Sequence, residues 1–245
     1  VHEYKSRSYH VLSDIDKKTC MEAARLLEEA LTSYRVGFHW VSHDKDRLYK
    51  VYLFGGQRGF MNYMAELGGM MGKPTERAAG VYSPLLKQLL IWNLPDRDAM
   101  METVRHEGFH QYLDRFLSDA PIWFNEGMAV YHENGRKVRG KLRFGQVHPQ
   151  YVRLLKQKGL VPLQEFLYLT PRTFYEGGLH SYAQAWALIH MLREGTAANR
   201  ALFNELVEAL QETSPIEAIA THIPEKKAEA LDAELKAYVA GLPTH

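Results

Sequence analysis

Apolar residues recur at three- and four-residue intervals over Lys17–Tyr34. Met21, Ala24, Leu27, Leu31 and Tyr34 fall on one stripe, so an amphipathic helix with that stripe inward is expected. Tyr9–Ile15 reads as a strand before it, and residues 1–7 are polar and read as a loose end. In Leu48–Phe54 the alternation of Tyr49, Val51 and Leu53 against Lys50 and Tyr52 predicts a second strand. Gly55-Gly56 then turns the chain into a helix over about Gln57–Leu67. The Gly-rich stretch Gly68–Pro74 lacks the strand context and the trailing Lys-Ser/Thr of a phosphate loop, and is read as a plain loop. Ala79–Ser83 and Leu89–Trp92 have the look of a hairpin.

The spacing of Met101, Val104, Tyr112, Leu113, Phe116 and Leu117 predicts the next helix, with Asp96 or Asp98 as its N-cap behind Pro95. After the break Ser118-Asp119-Ala120-Pro121 a further helix is expected, with Pro121 at its first position and Ser118 or Asp119 as cap. Arg136–Arg143 is a basic run alternating about Gly140, read as a solvated hairpin or, functionally, as a selector of acidic substrates. The remainder is mainly helical: Val147–Gly159, Leu163–Leu169, Ser181–Arg193, Asn199–Gln211, Pro215–Thr221 and Glu225–Ala240. A loop over Thr173–Leu179 carries Tyr175.

Composition narrows the function only by exclusion. Thirty basic against twenty-nine acidic residues give a net charge near zero, which argues against a general affinity for nucleic acid or anionic membranes. No apolar run approaches the roughly 20 residues of a membrane span. A single cysteine, Cys20, permits neither an internal disulfide nor a Cys-based zinc cluster, and reads as a buried small hydrophobe. The compartment stays open: export is favoured if a leader has been removed, the cytoplasm otherwise. A chain of 245 residues can bury a sizeable core. It is read as two lobes around one cleft, residues 1–134 and 135–245.

The chemistry is concentrated in His106-Glu107-Gly108-Phe109-His110. On a helix, residues four apart share a face one turn apart, so two imidazoles can grip one metal ion. Glu107 is offset by about 100° and falls beside the metal's open position. This is the H-E-x-x-H pattern of zinc hydrolases, with two His ligands and Glu as general base. A catalytic zinc takes three protein ligands and a water, and His₂Glu is a known set. Glu126, sixteen residues beyond His110 in Trp123-Phe124-Asn125-Glu126-Gly127, supplies the carboxylate if the two helices run antiparallel.

His106-Glu107-x-x-His110 followed by Asn125-Glu126-Gly127-x-Ala129 resembles the gluzincin metallopeptidases. In the aminopeptidase N-like family the third ligand lies in an N-E-G-x-A helix, a few residues further on than here. The peptidase-MA-like domains are the better match, with H-E-x-x-H-Q, a W-x-x-E-G helix and a later Y-x-x-x-W helix, here Tyr182 to Trp186. The likeness is tightest over residues 100–133 and 180–194. It implies one zinc per chain on His106, His110 and Glu126, with Glu107 as base. It also implies an oxyanion donor from the C-terminal lobe: Tyr182 first, His180 and Tyr175 in reserve. The element order resembles a zincin, an α+β fold in which a small twisted mixed sheet packs on the active-site helices and an antiparallel edge strand borders the cleft. Gly80-Val81-Tyr82-Ser83 is the candidate edge, able to bind an extended peptide as an added strand.

The expected activity is therefore zinc-dependent hydrolysis of a peptide or protein substrate. The acidic G-x-M-E-N motif that holds a free amine in the related aminopeptidases is not found, since Gly69-Met70-Met71 is too far upstream and lacks the acid. An endopeptidase or narrow-specificity peptidase is the default. Two other readings stand beside it: a zincin-like binding module without catalysis, which would have no use for Glu107, and an amidase acting on a non-protein amide such as a cell-wall crosslink. Asn125, Glu133 and Asp114 are the nearby groups able to hold the ligand rings, and His132 is the histidine nearest Glu126 in sequence.

Overall fold

The computed structural model describes residues 1–35, 38, 47–66 and 79–244; the loop expected at 68–74 lies outside them. The chain divides into two compact units, Val1–Phe116 with Lys137–Leu142, and Leu117–Arg136 with Arg143–His245. The molecule is α+β, with a small mixed sheet in the first unit and a helical second unit. No helix among the described residues is long and apolar enough to cross a membrane.

The first unit runs β1 (His2–Lys5), β2 (Tyr9–Ser13), α1 (Lys17–Tyr34), β3 (Tyr49–Phe54), α2 (Gln57–Glu66), β4 (Gly80–Ser83), β5 (Gln88–Trp92) and α3 (Arg97–Asp114). Its strands lie in the order β1-β2-β3-β5-β4. The centre, β2-β3-β5, is parallel and the two edges, β1 and β4, are antiparallel. Register places Val11, Val51 and Leu89 in one row, all of them buried. This is the two-residue alternation of the sequence turned into a core face.

Two expectations fail here. Residues 1–7 are not a loose end, because His2–Lys5 adds to β2 as an edge strand. Its side chains are largely exposed, so no apolar alternation marks it. In α1, Cys20, Ala24, Leu27, Leu31 and Tyr34 are buried as a stripe, but Met21 is 46% exposed. The stripe runs through Cys20, leaving its neighbour Met21 turned aside. Asp16 caps the helix, its side chain accepting from Thr19 N at 2.6 Å.

The second unit contains α4 (Ile122–Glu133), α5 (Pro149–Lys158), α6 (Leu163–Phe166), α7 (Pro171–Glu176), α8 (Leu179–Glu194), α9 (Ala197–Glu212), α10 (Pro215–His222) and α11 (Glu225–Gly241). Helix α8 is its axis: every residue from Ala183 to Leu192 is buried, and α4, α5, α9 and α11 pack around it. A helix apolar on all sides is a core helix. Gln184 and His190 are the polar residues of that run: the Gln184 side chain both accepts from Val161 N and donates to Val161 O, each at 2.8 Å, and His190 Nδ1 lies 2.7 Å from the Tyr238 hydroxyl. Gly127 lets α4 close on α8, since a Cβ there would stand 2.6 Å from Ala185 O.

Three details differ from the sequence reading. Pro121 is the N-cap of α4 and not its first residue, and no side chain caps that helix, so Ser118 and Asp119 do not serve. The expected loop over Thr173–Leu179 is largely the helix α7 followed by the start of α8. Interrupting the second unit in sequence, β6 (Arg136–Val138) and β7 (Lys141–Arg143) pair as the hairpin expected of the basic run. It turns on Arg139 and Gly140, both at positive φ, the requirement of a tight two-residue turn.

Candidate metal centre

The motif helix α3 is fixed before its histidines are considered. Asp96 caps it, accepting from Asp98 N and Ala99 N. Along its buried face Gly108 meets α1 so closely that a Cβ would lie 2.8 Å from Leu27 Cδ2 and 3.4 Å from the Tyr34 hydroxyl. Tyr34 uses that closeness. It donates to Arg105 O at 2.8 Å and sets its ring edge-on to Phe109, 5.4 Å between centroids. From the other side Gln111, 3% exposed, donates from Nε2 to Lys50 O on β3 at 2.8 Å. The residue beside the second histidine is thus a buried tie to the sheet and not a surface polar.

On this support His106 and His110 bring their rings to 4.9 Å between centroids, at 78° to one another. One ligand-type atom from each of His106, Glu107 and His110 lies within 4.8 Å of the others, all three half-buried, a grouping that could hold a metal ion. Glu107 is not idle within it. Its Oε2 accepts from the backbone N–H of Tyr82 at 2.8 Å. In β4 the pair Ala79–Trp92 is hydrogen-bonded, so alternation aims the N–H and C=O of Gly80 and Tyr82 away from β5, off the open edge. Glu107 takes one of those outward groups. A Cβ on Gly80 would meet Ile91, Thr103 and Leu90 O at 2.9–3.1 Å, so the glycine sets how closely β4 approaches α3.

The Tyr82 side chain reaches the same helix two turns later. Its hydroxyl donates to Asp114 Oδ2 at 2.6 Å, where Lys87 Nζ also lies at 2.6 Å. Burial, and next the adjoining Asp114 carboxylate, push the Tyr82 phenol well up. Asp114 therefore braces the edge strand.

Residues 100–217 match the model of a protein family of unknown function, DUF1570. No curated protein matches the chain. The family match begins inside α3 and ends in α10. It takes in His106, Glu107, His110, Glu126, Tyr175 and Tyr182 and leaves out the sheet with its edge strand.

In the second unit Glu126 is 5% exposed on α4, and the Tyr175 hydroxyl donates to its Oε1 at 2.8 Å. Tyr175 stands on α7, which Thr170 caps from the side chain and Pro171 opens. Tyr182, one turn into α8, packs its ring against Phe174 and Tyr175 at 5.3 and 6.4 Å. His180 donates from Nε2 to Gly159 O at 2.8 Å. His132 is buried and donates from Nδ1 to Met128 O at 2.7 Å; burial first, then Arg193, hold its pKa well down. It is a core residue. Glu133 pairs at long range with His148, 4.0 Å away.

Two contacts made by these residues were out of reach of sequence reasoning. The Tyr82 amide is a main-chain group with no signature. The Tyr175–Glu126 bond joins residues 49 apart, although Thr170-Pro171 was a legible helix start that would have put Tyr175 on a rigid element. Imidazole nitrogens and carboxylate oxygens are common zinc ligand types, so the His106, Glu107 and His110 grouping is of a kind that could hold such an ion.

Proposed function

We propose that the protein is a zinc-dependent peptidase of zincin type, cleaving internal peptide bonds with Glu107 as general base. The observation that carries this reading is the Glu107 carboxylate, grouped with two histidines within 4.8 Å and anchored through one oxygen by an edge-strand amide. A binding module would have no use for a base so positioned. His106 and His110 are the zinc ligands, with Glu126 assigned as the third from the sequence pattern. Bound there, zinc supplies Lewis acidity that lowers the pKa of a water towards neutrality.

The chain's own residues do the rest. Tyr82 N–H holds Oε2 of Glu107; the carboxylate accepts a proton from the attacking water and later delivers it to the leaving amine. A substrate strand laid along β4 pairs with the outward groups of Gly80 and the carbonyl of Tyr82, while Val81 pairs inward with β5. The oxyanion donor is assigned to Tyr182, and Tyr175 to holding Glu126. The test combines elemental analysis with cleavage of a degenerate peptide library. Wild-type protein is expected to carry about one zinc per chain and to cleave. Glu107→Gln should keep the metal and lose about 10²–10⁴-fold in turnover. A Gln variant as fast as wild type removes Glu107 as the base, and metal-free protein indifferent to chelators removes the centre.

A further inference from the structure

Beyond the motif, the last turn of α3, the start of β3 and the β4–β5 turn enclose a cleft of about 170 Å³. Among the described residues its wall carries Arg47, Lys87 and Arg115 against a single carboxylate, Asp114. Among these residues cations outnumber the carboxylate. They are not loosely scattered. Arg115 lies flat over the Tyr49 ring, 3.6 Å from its centroid, and donates from Nη2 to Arg47 O at 2.7 Å. That contact fixes one guanidinium and the backbone that presents the other. Lys87 holds a left-handed φ of 53°, a conformation that costs a non-glycine residue about 1–2 kcal/mol, and its ammonium reaches Asp114. A glycine would suit the backbone of that turn better.

The cleft connects to the proposed base through a single residue. Tyr82 lines it, with its amide on Glu107 and its hydroxyl on Asp114. Glu107 and Asp114 are seven residues apart on α3, roughly 10 Å of helical rise. An extended peptide covers that distance in about three residues.

We propose that this cleft is a subsite for a carboxylate of the peptide substrate, seated about three residues from the scissile bond. The proposal deepens the peptidase reading and rests on it. An acidic side chain and a chain-terminal carboxylate offer the same chemistry, and the experiment separates them.

The first arm needs no turnover. Wild-type protein is titrated with N-acetylglutamate α-amide, which bears only a side-chain carboxylate, with N-acetylglutamine, which bears only the terminal one, and with neutral N-acetylglutamine amide. Chemical shifts of the Arg47 and Arg115 Nε–H groups and the Lys87 amide are followed. Saturable shifts with either anion and none with the neutral control are expected, and the stronger anion names the source. Equal responses to all three, or none, overturn the proposal.

The second arm measures kcat/KM for peptide pairs differing by Glu against Gln at each position. A preference of about tenfold for Glu is expected, modest because the cleft is open to water and salt. It should peak about three residues from the cut and fall to one or below in Arg47→Glu and in Lys87→Gly, the latter chosen because glycine relieves its turn. Because each ratio is taken within one protein, a partly unfolded variant does not mimic the effect. Cleavage indifferent to the charge overturns the subsite and leaves the peptidase standing. Absence of all cleavage with anion binding intact overturns the peptidase reading and, with it, the substrate role of the cleft.

Discussion

Replacing Gly127 by alanine isolates the packing that holds the Glu126 helix. The new Cβ would stand 2.6 Å from Ala185 O, 2.8 Å from Ile189 Cγ1 and 2.9 Å from Ala185 C, where ordinary contact begins at 3.4 Å. Two of those three atoms are backbone of α8, so no side-chain rotation relieves the clash, and the helices must part by about 0.8 Å (3.4 less 2.6). Overpacking of this kind costs about 1–3 kcal/mol, and a backbone obstacle puts it at or above the top of that range. Alanine returns about 1 kcal/mol of helix propensity. A net loss of about 2 kcal/mol follows, or roughly 4–8 °C in Tm for a chain of this size. Gly241→Ala is the control, because that glycine ends α11 with nothing within 4 Å of its Cβ position. Thermal unfolding followed by circular dichroism should show Gly127→Ala well below wild type and Gly241→Ala level with it or above. Two variants melting together within a degree would mean the closeness of α4 and α8 does not limit stability.

Gly108→Ala should lose less than Gly127→Ala in the same melts, because its nearest obstacle is Cδ2 of Leu27, the end of a side chain that can rotate. Tyr175→Phe deletes the donor to Glu126 and is expected to weaken zinc binding by about tenfold in a chelator competition; unchanged affinity would release Tyr175 from that role. Gln111→Leu removes the buried side chain that ties α3 to Lys50 O and should cost about 1 kcal/mol in urea unfolding. His132 and His190 both have folded pKa values held below 6.5, chiefly by burial. The unfolded chain therefore binds protons first as pH falls. Stability from these groups is present above about pH 6.5 and lost as pH drops through their folded values, visible as a Tm that declines on acidification and declines less in His132→Phe.

Elements built on a repeating apolar stripe were legible. Helix α1 begins and ends where its periodicity does, and β3 buries the alternate residues its pattern assigns. Pieces that exist because something else pairs with them were not. His2–Lys5 has no apolar alternation of its own and becomes a strand only by lying against β2. The same holds at the candidate centre. His106, Glu107 and His110 could be read as a group because helical spacing alone brings them together. The amide that steadies Glu107 comes from a strand 25 residues earlier, and its direction depends on β4 register, which no side-chain pattern records. Asp114 was noted only as a neighbour in sequence, and its work as a brace for Tyr82 and Lys87 is a property of tertiary packing.

Hairpin loops ordinarily absorb insertions and deletions. The one over residues 84–87 has less licence, since adding or removing a residue there invites β4 to slip by one position. Such a slip exchanges the strand's inward and outward amides and turns the Tyr82 ring to the opposite face. Glu107 would then face a carbon atom or a carbonyl where it now meets a donor. The length of a surface loop is in this way tied to the hydrogen bonding of a carboxylate it never touches, and natural variation in that loop should run to substitutions far more than to changes in length.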